Sequence, residues 1–375
     1  MAKTVRDTLQ RLGRFAGRPG LIYLCSRVGV LLVVLAVVID ASEGLGHGLT
    51  AWDSHWYLAA AKGYPHTILS GRGNVAQSSL GFFPALPIVI KAVHLVLGTD
   101  YTRSGLLATF ALGITAAVAV WRLLQETEGR DRADRGTALL LFSPGAFVLS
   151  LVYSEGLLIT AVAICLIALR HRRWVVAGLF AAVATATDPI GLAVVLPCLF
   201  AAREAIWKSK ERDLTSLAAP LLAPMGTIGF FSFLWAWTGT PFAWFVTQRR
   251  GWQGGPPASS IPKVFVDIAQ HGFVNPNSVI KAASFLVCAG LLVAFLKMKP
   301  GILLSSYVIG ALFFAAMSPV IGWTPRVALR AFPLIALVGA RIPERWFPLV
   351  LATTALVTAA VTALSLGNAH IPFTP

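Results

Sequence analysis

The run FFPALPIVIKAVHLVLG, Phe82 to Gly98, sets the topology of the whole chain. It is apolar enough to pass for a membrane span. If it crossed, the loop 125–135 with Arg130, Arg132 and Arg135 would change sides, and every later basic connector would follow. If it lies in the outer interface, all the basic connectors return to the side of the basic N-terminus, as positively charged loops prefer. Lys91, His94, Pro84 and Pro87 within the run suit an interfacial or re-entrant helix better than a span.

Outward from this run, apolar segments fit for spans lie at about 21–39, 103–124, 136–153, 156–170, 173–188, 190–206, 216–237, 278–297, 300–318, 327–341 and 346–366. Several are short and need support from neighbouring helices. The basic connectors between them are Arg130/Arg132/Arg135, Arg170/Arg172/Arg173, Lys208/Lys210/Arg212, Lys297/Lys299 and Arg341/Arg345. The expected fold is all-α and polytopic, with about eleven transmembrane helices, a cytoplasmic N-terminus and an outer C-terminus. The whole chain, 1–375, reads as one integral-membrane domain. Two outer segments are long, about 40–102 and 238–277, and both are rich in Trp, Gly and Pro. Loops of this length between packed helices carry function.

Composition agrees. The 375 residues are 56% hydrophobic and only 13% charged, with a mean hydropathy of +0.73. A soluble domain carries about 25% charged residues, so a soluble enzyme and a disordered chain are both excluded. The net charge of +15 does not mark a nucleic-acid binder, because Lys and Arg fall in short clusters between apolar runs. Cys25, Cys165, Cys198 and Cys288 are far apart, each in an apolar run, and read as buried free thiols. The first apolar run exceeds a signal-peptide core and lacks a good cleavage site, so it reads as a retained span.

The outer side holds few acids: Asp40, Glu43, Asp53, Asp100, Glu155, Asp188 and Asp267. No Ser-His-Asp motif, P-loop or dinucleotide fingerprint fits its required context. Asp53 stands in Trp52-Asp53-Ser54-His55-Trp56-Tyr57. Residues 54–62 read as a short amphipathic helix at the membrane surface, with Trp52, Trp56 and Tyr57 as interfacial anchors. Asp53 then has two readings. It caps this helix, or it is a boundary carboxylate whose basicity is raised by partial desolvation, suited to taking a proton from a hydroxyl.

Trp52-Asp53-x-x-Trp56-Tyr57-Leu58, then Gly63-Tyr64 and Phe82-Phe83-Pro84, resembles the first outer loop of the PIG-V-like family, GPI mannosyltransferase II and its bacterial relatives. Four later blocks agree in order: Ser143-Pro144 with Tyr153-Ser154-Glu155; Thr187-x-Pro189-x-Gly191; Gly239-x-Pro241-x-Ala243-Trp244-x-x-x-Gln248 with Trp252; and Arg326 with Phe332-Pro333-Leu334. The resemblance implies a GT-C fold. It also implies an inverting transfer of mannose from a polyprenyl-phosphate donor to a hydroxyl of a lipid or glycan acceptor on the outer face, with Asp53 as the base. It implies no nucleotide site.

A departing phosphate needs a cation, and Arg is best suited through its bidentate fork. Arg326 is the first choice, at the family position, with Arg249, Arg250 and Arg330 behind it. Glu155, at a span boundary, is a candidate to bind sugar hydroxyls or to orient an Arg. Gln248 is a candidate for the sugar or acceptor, with Trp244 or Trp252 stacking on a sugar face. His55 is placed to bond Asp53 or the phosphate. Asp188 stands where relatives often have Arg, and Asp188-Pro189 reads as an N-cap and first helical residue. Val327 stands where an aromatic is common. A divalent metal on Asp53, His55, His47 and Glu43 has no tight ligand spacing, so no cofactor is expected. The rival readings are a GT-C enzyme for another sugar and a lipid or solute transporter. The transporter would show repeats and midplane charges, whereas these acids gather at one face. The Ala/Arg/Gly-rich composition and the lack of an ER-retrieval tail lean towards a bacterial plasma membrane. The expected partners are the lipid-linked donor, the acceptor and membrane lipids.

Overall fold

The computed structural model describes residues 2–40, 48–207, 212–252, 258–318 and 324–366, without the side chains of 2–16 and 38–40. Every regular element among them is helical. Five helices are long and apolar enough to cross a bilayer: Gly17–Val37, Tyr101–Glu128, Pro189–Trp207, Pro276–Lys297 and Phe347–Leu366. Two helix pairs reach that length only together across a bend, Pro144–Ser150 with Glu155–Arg170 at 106° and Leu214–Leu222 with Met225–Thr238 at 41°. Five of the eleven expected spans thus stand on length and apolarity, and seven if each bent pair counts as one span. Trp174–Thr185 and Ile302–Met317 are shorter apolar helices, and the expected spans 136–153 and 327–341 are not single helices.

The reason for the break in 136–153 is local chemistry. Helix Arg130–Leu141 ends before Ser143-Pro144, and a 3₁₀ turn over Pro144–Ser150 leads to the next helix. Proline cannot continue the ladder of backbone bonds, and the freed carbonyls need donors where water is scarce. Arg27 supplies two of them from the first span. Its Nη1 donates to the Ala146 carbonyl at 2.6 Å and to Ser150 Oγ at 3.0 Å, and its Nη2 donates to the Leu141 carbonyl at 3.0 Å. Thr358 Oγ1 donates to the Phe142 carbonyl at 2.6 Å, and the Tyr23 hydroxyl donates to the Leu149 carbonyl at 3.2 Å. Arg27→Leu should therefore lower stability by about 2–4 kcal/mol, since buried carbonyls lose their donors. Thermal melts in detergent will show it, and an unchanged melting point would remove Arg27 from this role.

The span expected over 327–341 breaks similarly, into Pro325–Arg330 and Pro333–Arg341. The Tyr307 hydroxyl takes up the Arg330 carbonyl at 2.8 Å. Gly145 lets the two broken segments touch. A Cβ there would lie 2.2 Å from the Pro325 carbonyl oxygen and 2.9 Å from the Arg326 nitrogen. Elsewhere the bundle packs through small residues, as membrane helices do; Ala161, Ala177, Ala181 and Ala184 are buried between Glu155–Arg170 and its neighbours.

The basic connectors meet at one end of the bundle. Arg135 pairs with Glu344 at 2.7 Å, and Arg341 pairs with Glu128 at 2.6 Å while donating to the Met298 carbonyl. Arg170 and His171 both face Glu126. Trp174 Nε1 donates to Asp213 at 2.8 Å. This shared end is what the interfacial reading of Phe82–Gly98 requires. Ala85–Leu97 has thirteen residues, about 20 Å at 1.5 Å per residue, too short for a hydrocarbon core of about 30 Å. It stops at Gly98 in the left-handed region, φ 65°. Leu86 and Ile90 face the core, while Leu95 and Val96 are exposed.

Candidate functional site

Glu155 opens the sixteen-residue helix Glu155–Arg170, so it lies at the opposite end from the basic connector that begins at Arg170. Around it the structure assembles residues from four distant parts of the chain. Helix Ser54–Lys62 forms as expected, but Asp53 at its N-cap position makes no capping bond with its side chain. The capping reading is therefore set aside. Asp53 Oδ2 instead accepts from Arg326 Nη1 at 2.7 Å.

Arg326 and Arg330 lie four residues apart on the short helix Pro325–Arg330, a spacing that puts both on one face. Between them sits Glu155, fully buried. Its Oε1 accepts from Arg326 Nε, and from Arg330 Nε at 3.0 Å. Arg330 Nη2 also meets Asp188 Oδ2 at 3.1 Å. The result is an alternating row, Asp53–Arg326–Glu155–Arg330–Asp188, with three carboxylates against two guanidinium groups. Arg326 is 3% exposed and Asp53 is 26% exposed, so the row opens at the Asp53 end. Tyr153 lies under the Arg326 guanidinium, 4.3 Å from ring centroid to Cζ, a cation–π contact.

Asp53 is fixed by its backbone. Its amide donates to the Tyr153 hydroxyl at 3.2 Å. Trp52 before it has φ 57°, a strained value for a bulky residue, and its indole donates to the Ser365 carbonyl at 2.9 Å. The Tyr57 hydroxyl donates to Ser154 Oγ at 2.9 Å. Asp188 does cap as read from the sequence: Oδ1 accepts from the Ile190 amide at 2.8 Å. That leaves Oδ2 for Arg330. Glu155 Oε2 is buried with no hydrogen-bond partner among the described residues.

The other candidates fall elsewhere. Gln248 Nε2 and Trp244 Nε1 both donate to the Gly81 carbonyl, at 2.9 and 3.1 Å. They join the second long segment to the first. Trp252 packs among Trp56 and Phe82, with ring centroids 5.9 and 5.7 Å away. Arg249 is exposed, and Arg250 reaches only the Leu69 carbonyl. His55 is exposed, rests against Trp56 at 4.6 Å and makes no hydrogen bond to Asp53 among the described residues. Partial burial lowers its pKa, outweighing the pull of the Asp53 carboxylate. Among the described residues no group of three His, Cys, Asp or Glu is placed to hold a metal; Glu43 and His47 lie outside them. Sequence reasoning missed the joint role of Arg330 and Asp188. The four-residue spacing of Arg326 and Arg330 was the available signal.

No family model matches this sequence, and no curated protein matches it. Solved structures do. ArnT from Cupriavidus metallidurans, bound to undecaprenyl phosphate, is similar over 93% of this chain and 67% of its own, with a TM-score of 0.53 at 17% identity. The apo oligosaccharyltransferase of Archaeoglobus fulgidus is similar over 93% of this chain and 57% of its own, with a TM-score of 0.52 at 12% identity. The chain spans less than two thirds of the archaeal protein. At these identities the likeness is one of fold, and it agrees with the all-helical architecture and the apolar spans: the chain is an integral membrane protein with the GT-C fold.

Proposed function

We propose that this protein is an inverting glycosyltransferase of the PIG-V-like kind, moving mannose from a polyprenyl-phosphate carrier to a hydroxyl of a lipid or glycan acceptor. The reaction takes place on the outer face of the membrane, bacterial plasma membrane in our reading. The observation that carries the proposal is the partly exposed Asp53 carboxylate held 2.7 Å from an Arg326 that is itself anchored to buried Glu155. The solved ArnT structure, which holds undecaprenyl phosphate, supports the class of donor.

The arrangement suggests an order of events. In the resting row Asp53 Oδ2 is occupied by the Arg326 Nη1 donor rather than by an acceptor hydroxyl. A donor phosphate beside Arg326 competes for its N–H groups, and the Glu155 contact at Nε keeps Arg326 in place while Nη1 lets go of Asp53. The freed carboxylate takes the acceptor proton. The acceptor oxygen bonds to the anomeric carbon as the bond from that carbon to the phosphate oxygen breaks, and the phosphate leaves as an anion stabilised by the cation. Arg330 and Asp188 balance the charge on Glu155 and Arg326 and hold the row together. In this reading Glu155 positions Arg326 and does not touch the sugar.

The test is transfer of radiolabelled mannose from polyprenyl-phosphate mannose in reconstituted vesicles. The expected result is label in a new glycosidic bond. Label that crosses sealed vesicles without a new bond would establish a transporter instead. Transfer with another lipid-linked sugar and none with mannose would keep the enzyme class and remove the sugar.

A further inference from the structure

Lys281 is a cation without a partner anion among the described residues. It lies five residues into the span Pro276–Lys297, about 7.5 Å along the axis at 1.5 Å per residue. Half-buried, it lines a shallow cleft with Ser260, Ile261, Val264, Phe265, Ala282 and Phe285. One wall is the amphipathic helix Ser260–His271, and the other is the span itself. Phe265 and Phe285 close the two walls edge to face, 5.8 Å between ring centroids.

No described residue forms an ion pair or hydrogen bond with Lys281. The acid on the facing helix, Asp267, is already engaged. It accepts from Ser278 Oγ and from Asn275 Nδ2 at 3.0 Å, and His271 Nδ1 lies 3.2 Å from it. These contacts fix the turn between the two helices and leave the lysine alone. Lys263, on the same facing helix, is exposed and adds positive charge. An ammonium near the end of a span, with no anion among the described residues, is open to a partner from outside the chain.

The surroundings say what kind of partner. Phe273 and Val274 at the turn are 79% and 81% exposed, and Leu286 and Val287 further along the span are 60% exposed. A free anion gains nothing from such surfaces, whereas a lipid gains along its whole tail. The bilayer itself supplies phosphate headgroups at this depth and at high local concentration. We propose that this cleft binds the phosphate headgroup of an anionic bilayer phospholipid, with the Lys281 ammonium on a phosphate oxygen and the first methylenes against Phe265 and Phe285. The cleft shares no residue with the Asp53 row, so the proposal does not rest on the activity above.

The experiment compares the unaltered chain, Lys281→Met and Lys281→Arg in nanodiscs of phosphatidylcholine with and without phosphatidylglycerol. Retained lipid is read by native mass spectrometry, and stability by thermal melting. The unaltered chain should retain phosphatidylglycerol over phosphatidylcholine by about five-fold, the preference that about 1 kcal/mol per surface cation gives. Lys281→Arg should keep most of that preference and Lys281→Met should lose it. In pure phosphatidylcholine the Met variant should melt no lower than the unaltered chain, because it removes an unpaired charge. An undiminished preference in Lys281→Met overturns the proposal. So does a Met variant that melts lower in pure phosphatidylcholine, which would reveal an internal partner. Inorganic phosphate that raises the melting point as much as the phospholipid would make this a free-anion site, and polyprenyl phosphate that displaces an excess of phospholipid would make it a carrier site.

Discussion

Asp53→Asn is expected to lose transfer by at least about a hundredfold while the protein keeps its fold, since a positioned general base contributes roughly 10²–10⁴ in rate. Asparagine has the shape of aspartate, and its carbonyl still accepts from Arg326, whose Nη1 lies 2.7 Å from Oδ2. It cannot take up a proton. The stability cost is small, because Asp53 is the exposed end of the row at 26% and partly solvated pairs contribute little. The measurement is mannose transfer alongside a thermal melt. Turnover in the Asn variant equal to that of the unaltered chain would end the assignment of Asp53 as the base.

Glu155→Ala is expected to do the reverse and cost the fold first. Glu155 is buried, and one of its oxygens takes N–H groups from both Arg326 and Arg330. Removing one member of a buried ionic network costs about 3–5 kcal/mol, because it strands charges that water cannot reach. The melting point should fall by several degrees and little protein should survive extraction. The double variant Glu155→Leu with Arg330→Met should recover part of the loss, since it removes a charge pair together and the two residues touch. If Glu155→Ala melts like the unaltered chain, the row does not hold the site together. On these expected outcomes neighbouring carboxylates on one row divide the work, Asp53 for chemistry and Glu155 for cohesion.

The sequence was most informative where local chemistry decides. Helix Ser54–Lys62 and the Asp188-Pro189 cap follow from short-range rules and are found. The described basic connectors also gather at one end of the bundle, the common side that their pattern in the sequence implied. What stayed hidden depended on partners far away in the chain. FSPGAFVLSLVYS, 142–154, looks like part of a continuous span. It breaks at Pro144, and the break is held because Arg27, more than a hundred residues earlier, donates to the Ala146 carbonyl within it and the Leu141 carbonyl just before it. Ser260–His271 was read as part of a loop although Ile261, Val264, Phe265 and Ile268 follow the helical period; the turn residues around it masked the signal. Asp53 was legible as a boundary acid. Its pairing with Arg326 was not, because nothing local places residue 326 beside residue 53.

That last pairing has a consequence for how the protein is made. Translation delivers Asp53 and Glu155 well before Arg326 and Arg330 emerge, and the Trp52 indole finds the Ser365 carbonyl only when the final helix has inserted. Until the two arginines emerge, a nascent chain carries three carboxylates of the row, Asp53, Glu155 and Asp188, without their partners. The row closes late in biogenesis, when the closing helices seat against the opening loop, so under the proposed function an unfinished chain has no paired base and cation to offer a lipid-linked sugar.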